Sequence, residues 1–197
     1  FLNILKQPRI LSPLLFILTW SALMTFIRQM MVKVGPRILK NLLLGKYHRP
    51  RSENRIFLFI DLKASTQLAE ILGHEVYSRL IQDCFYDLTD SIIKHEVEVY
   101  QYIGDEAVLT WTENKGLRNA NCIRAYYDFI QTLERRRDHY LQQYGYVPFF
   151  KAGANTGTVT VTEIGIIKRE IAYLSEVLHT AARIQGKCNE MKKGLLV

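Results

Sequence analysis

The spacing of apolar and polar residues changes several times along the chain, and each spacing predicts an element. Between Arg9 and Arg28 lie eighteen residues without a charge, ILSPLLFILTWSALMTFI. As a helix they would measure roughly 27 Å, close to the apolar thickness of a bilayer, about 30 Å. The pattern predicts a transmembrane helix within 1–27. Thr19, Ser21 and Thr25 dilute the span, so an amphipathic core helix is the alternative. A cleaved leader fits less well, because no small-residue cleavage site follows and the basic cluster lies downstream. Met30, Met31, Val34, Ile38, Leu42 and Leu43 then recur at helical spacing. They predict a helical linker over 28–54, bent at Gly35-Pro36 and ending near Gly45. The segment KYHRPRSEN has the proline and polar content of a linker, and a soluble domain is expected from 55 to 197.

In that domain the run IFLFIDLKAST opens with five apolar residues and then an aspartate, Asp61. A short apolar run is the mark of a strand buried on both faces, where an ionised carboxylate is strongly disfavoured without a compensating partner. Residues 56–62 are predicted as a strand. Ser65 and Thr66 are placed to cap a helix to Leu72; Gly73 interrupts it before a longer helix to His95. The stretch EVEVYQYIGDEAVLTW reads as a hairpin turning at Gly104-Asp105. A long helix is expected from Gly116 to Tyr144. Strands follow over 148–155 and 158–163, joined around Gly157, with a short strand at 169–173. A helix over 176–188 and a strand starting in GLLV complete the pattern. The order predicts an α+β, ferredoxin-like βαββαβ domain, one antiparallel sheet covered by helices.

Charge changes the picture only once it is divided along the chain. The net +7 is wholly N-terminal: residues 1–55 carry ten Lys/Arg and one acid, whereas 56–197 carry sixteen against eighteen. Eight of the ten lie between Arg28 and Arg55. Basic bias beside an apolar span marks a cytoplasmic flank, so the domain is expected on the cytoplasmic side of the inner or plasma membrane. No nucleic-acid partner is implied, because the ERRRDH run at 134–139 is a helical charge run of the kind that forms a solvated face. Cys84, Cys122 and Cys188 are widely spaced and never form a C-x-x-C pair, which fits neither a disulfide framework nor a zinc site. His74, His95 and His139 lack metal-ligand spacing.

The candidate chemistry lies in Asp61 and Asp105. If the first strand neighbours the hairpin, the two carboxylates meet and repel unless a divalent cation lies between them. Magnesium takes such oxygen ligands, and the carbonyl of Leu62 can add another. Taken singly, Asp61 reads as a helix cap and Asp105 as a turn residue.

FIDLKAST, YQYIGDEAVLTW, GANTGTVTV and VLHTAARIQ resemble, in order, the successive signatures of class III adenylate/guanylate cyclase catalytic domains of the bacterial, membrane-attached type. Four signatures in register are specific where one would not be. The resemblance extends upstream into LLLGKYHRPRSENR. It implies an enzyme that converts ATP to 3′,5′-cyclic AMP and pyrophosphate in intracellular signalling, with Mg²⁺ or Mn²⁺, two ions per site. It also implies a homodimer in which each active site is shared by two chains. On this resemblance Asp61, Asp105 and the backbone of Leu62 match the metal ligands. Arg183 matches the transition-state arginine and His179 the ribose-binding position, both lent by the other subunit, and Gln101 and Ala172 match the base-reading pair.

Several positions depart from the family pattern. His179 stands where the family has asparagine, Ser175-Glu176 where it commonly has Gly-Asp, Gln101 where ATP users have lysine, and Ala172 where Asp or Thr is usual. Gln101 can bond adenine or guanine through its two-sided amide, so ATP and GTP both stay open. A late phosphate-contacting lysine and the last strands of the family domain would lie beyond Val197, and the sequence reads as cut short at its C-terminal end. The alternatives to an adenylate cyclase are a guanylate cyclase and a degenerate, dimerising signalling module. A diguanylate cyclase is set aside, because its G-G-D/E-E-F signature is absent and the hairpin reads Ile103-Gly104-Asp105-Glu106.

Overall fold

The computed structural model of the chain describes residues 8–34 and 45–197. They divide into two compact units: the described residues up to Pro50 with Thr162–Ala172, and Arg51–Val161 with Tyr173–Val197.

The first unit contains helix α1, Pro8–Val34. Within it Ser12–Met31, of mean hydropathy 1.5, is long and apolar enough to cross a membrane by length and composition. None of that stretch is buried against the protein. Apolar residues are spread around the helix rather than gathered on one face, unlike the amphipathic stripe of a soluble core helix. The two diluting threonine hydroxyls are satisfied internally: Thr19 Oγ1 donates to the Leu15 carbonyl at 2.9 Å and Thr25 Oγ1 to the Ser21 carbonyl at 2.8 Å. The predicted bend at Gly35-Pro36, and the periodic positions Ile38, Leu42 and Leu43, lie outside the described residues, as do residues 1–7.

The rest of the described chain, from Arg51 on, is built on a six-stranded sheet. In chain order its elements are β1 (Arg51–Leu62), α2 (Ser65–Leu72), α3 (His74–Lys94), β2 (Glu98–Ile103), β3 (Glu106–Thr112), α4 (Glu113–Leu117), α5 (Asn121–Arg135), α6 (Arg137–Tyr144), β4 (Phe150–Ile164), β5 (Glu170–Leu174), α7 (Glu176–Met191) and β6 (Leu195–Leu196). Strand order is β2-β3-β1-β4-β5, with β6 joining β4 in parallel. β1 is central and antiparallel to both neighbours, which explains its unbroken apolar run: each face is covered. Ile56, Leu58, Ile60 and Leu62 enter the core with Trp111, Phe129 and Leu80. Phe57 turns to the other face, against Tyr100 and Tyr173.

Four sequence expectations are corrected. β1 begins at Arg51, not 56, because its polar first residues still pair with β4, Arg51 opposite Val161. The cap of α2 is Ala64, held at φ 59, so Ser65 and Thr66 lie inside the helix. The helix expected over 116–144 is broken twice, with a 3₁₀ turn at Arg118–Ala120 in which Asn119 and Ala120 adopt positive φ, and again at Arg136. The two strands expected around Gly157 are one, Phe150–Ile164. Gly157 is a packing glycine rather than a turn glycine, since a Cβ there would stand 2.7 Å from Val177 Cγ2.

Candidate active site

Antiparallel pairing decides what meets Asp61. At the C-terminal end of β1 it lies opposite Glu106 on β3 and Lys151 on β4. The tight turn that joins β2 to β3 places Asp105 immediately before Glu106, with Gly104 at φ +62 supplying a left-handed backbone that side chains resist. Asp61 and Asp105, forty-four residues apart in sequence, are thereby brought to one end of the sheet.

The electrostatics of this corner are unbalanced. Burial pushes the Asp61 carboxyl above the usual carboxylate range and the Asp105 charge pushes it further, while Lys151 and Gln185 act in opposition. Glu106 is raised by burial and then by Asp61 and Asp105. The Tyr77 hydroxyl is pushed up to about 12, chiefly by burial and then by Asp105. Lys151 Nζ lies 3.3 Å from Asp61 Oδ2, and Gln185 Nε2 donates to the same oxygen at 3.0 Å. Among the described residues Asp105 Oδ2 is buried and has no hydrogen-bond partner. Three carboxylates face one ammonium, and an orphaned buried carboxylate oxygen is costly unless something cationic satisfies it. This donor set fits a hard divalent cation held by oxygen. No group of three or more His, Cys, Asp or Glu poised to hold a metal is found among the described residues, so any ion here would rely on two carboxylates and further ligands from a substrate.

Helix α7 carries the other candidates. Ser175 caps it, its Oγ accepting from the Val177 amide at 2.9 Å. Ala181, Gln185 and Cys188 are buried toward the sheet. His179 and Arg183, one turn apart, are both exposed, and Arg183 has only a loose pairing with Glu176 at 3.6 Å. The helix lies so close to β4 that a Cβ on Gly153 would stand 2.2 Å from the Gln185 backbone nitrogen. Glycine is required there by the close approach.

The remaining candidates are placed singly. Gln101 is exposed on β2, Ala172 is buried in β5, and Leu62 is buried in the core, leaving only its backbone for ligation. Sequence reasoning missed Lys151 and Gln185. Lys151 is found only once the register of β4 against β1 is known, whereas Gln185 stands in the signature VLHTAARIQ, two residues after Arg183.

Comparison with known proteins agrees with this architecture. No family model matches the chain. Adenylate cyclase 2 of Rhizobium meliloti (strain 1021) is 32% identical over 187 residues, covering 95% of this chain and 52% of the relative. The chain thus spans about half the length of the curated relative it matches. A bacterial light-regulated adenylyl cyclase superposes with TM-score 0.78 at 21% identity, over 96% of this chain and 56% of the other. The guanylyl cyclase Cya2 superposes with TM-score 0.60 at 19% identity, over 71% and 72%. The fold expected from the sequence, an α+β cyclase domain, is therefore the fold observed.

Proposed function

Because this chain belongs to the class III adenylate/guanylate cyclase family, we propose that it is an adenylate cyclase, forming 3′,5′-cyclic AMP and pyrophosphate from ATP. The observation that carries this is the corner where the elevated Asp61 faces the unpartnered Asp105 Oδ2. Asp61 and Asp105 would hold Mg²⁺ or Mn²⁺, with the Leu62 carbonyl beside them, and the bound ions would neutralise phosphate charge and favour ionisation of the ribose 3′-hydroxyl.

In the reaction the 3′-oxygen attacks the α-phosphorus and pyrophosphate departs. Arg183, a permanent cation on an exposed helix face, is suited to the charge gathering on the α-phosphoryl oxygens. His179, one turn earlier, can donate to the ribose. Both are exposed to solvent, which favours a homodimer in which each subunit completes its partner's site. Gln101 and Ala172 would border the base, and the amide of Gln101 leaves GTP as the second substrate to test. Helix α1 would anchor the chain in the inner or plasma membrane, with the basic flank and the catalytic domain in the cytoplasm. A degenerate module is the second reading, favoured by His179 and Ala172.

The test is complementation. Chains bearing Asp105→Ala and chains bearing Arg183→Ala should each be inactive with Mn²⁺ and ATP. Their mixture should recover about a quarter of wild-type cyclic AMP formation, since half of randomly paired two-fold dimers hold one intact site of two. No product from wild-type chain with either ATP or GTP would leave the degenerate module. Activity without recovery in the mixture would remove the shared site.

A further inference from the structure

We propose that Gln185 is a positioning residue for the metal site, holding the Asp61 carboxylate by one oxygen so that the other is kept for the ion. This rests on the reading of Asp61 and Asp105 as metal ligands. Gln185 is 7% exposed, and its Nε2 reaches Asp61 Oδ2 at 3.0 Å across 124 residues of sequence. Its backbone is fixed as firmly as its side chain. The Gln185 nitrogen lies against Gly153 of β4, and Cys188 Sγ, one turn on, reaches the Ala152 carbonyl at 3.2 Å. The amide is thus delivered from a helix that cannot slide on the sheet.

A neutral amide is the appropriate chemistry for this task. Lys151 addresses the same Oδ2 from 3.3 Å, but an ammonium repels any cation that Asp61 is to bind. A carboxylate at 185 would add a fourth negative charge to Asp61, Asp105 and Glu106. An amide N–H orients the carboxylate and leaves its charge for the ion. The two donors therefore oppose one another: Lys151 stabilises the ion-free corner, and Gln185 prepares it for the ion. Gln185 is also buried while His179 and Arg183 are exposed, so α7 serves its own chain's metal site with one face and presents its candidate catalytic cation on another.

The experiment is Mn²⁺ binding to the whole, nucleotide-free chain, followed by electron paramagnetic resonance of the free ion. Gln185→Met keeps the volume and removes the donor; it should weaken Mn²⁺ binding about tenfold, the usual effect of losing a partner that orients a metal ligand. Lys151→Met should tighten binding several-fold, because a competing cation is removed. Opposite signs separate positioning from loosening, since a distorted corner would weaken binding in both variants. Arg183→Ala should leave Mn²⁺ binding unchanged. Unaltered binding in Gln185→Met, or weakening in both methionine variants, overturns the positioning role while leaving the metal site intact. Mn²⁺ binding insensitive to Asp105→Ala overturns the metal site, and the role of Gln185 with it.

Discussion

β1 carries two charges withdrawn from water, Arg55 in its first half and the half-buried Asp61 near its end, and they are treated oppositely. Arg55 is 1% exposed, yet every part of its guanidinium is engaged. Nη1 bonds Glu53 at 2.9 Å, Nη2 bonds Glu98 at 2.7 Å, Nε bonds Thr110 at 3.2 Å, and the Tyr173 ring lies 4.9 Å away. Burial alone would lower its pKa, but Tyr173, Glu98 and Glu53 together raise it. Six residues and roughly 20 Å further along the strand, Asp61 has one ammonium and one amide against two neighbouring carboxylates. A buried charge balanced within the chain is a structural element. A half-buried charge left unbalanced implies something from outside the chain, and this difference separates scaffold from site more sharply than burial does.

The contrast can be broken at either end. The largest effect is expected from Asp105→Ala, which should lower cyclic AMP formation by about a hundredfold or more, with a melting temperature unchanged or raised because an orphaned buried oxygen is gone. Chromatography of the products and a thermal melt check both halves, and a fall in stability would place the corner with the structural charges. Next comes Arg55→Met, which strands Glu53 and Glu98; it should cost about 3 kcal/mol in a denaturant titration, as breaking a buried pair does. A loss below 1 kcal/mol would mean that the cluster holds little of the fold together.

A smaller effect should appear with pH. Asp61 and Glu106 are raised in the folded chain, so the folded state binds protons that the unfolded state has released. Their contribution to stability is complete below the ordinary carboxylate pKa and is lost as pH rises through the elevated values. With chelator present, stability should decline over that window. Mn²⁺ should flatten the decline, because the ion favours the ionised form of Asp61; equal pH slopes with and without Mn²⁺ would count against the shared site. The smallest effect concerns the backbone beside the corner. Ala64 is held at φ 59, and Ala64→Gly should gain up to about 1 kcal/mol in the same titration, with no counterpart at the Arg55 end.

Much of this contrast was legible in the sequence, but unequally. An apolar run ending in Asp61 announces a charge that needs a partner, and Gly104-Asp105 announces a turn, because both signals are local. Four signatures in order then placed the fold. Lys151 and Gln185 were not legible as partners of Asp61, since 90 and 124 residues separate them and only register and helix packing unite them. Gly157 misled because a glycine within a strand reads as a turn until the helix that needs the space is seen. The long helix misled for the opposite reason: Asn119 and Ala120 adopt positive φ with no glycine to advertise the break.

Helix α7 has a further consequence for how such a chain can vary over time. Gln185 faces inward and Arg183 outward, and the angle between them is set only by counting residues along the helix. Exchanging one side chain for another leaves that angle alone. A single insertion between Arg183 and Gln185 would turn one by about 100° relative to the other, so drift by substitution is open to this segment and drift by length is closed.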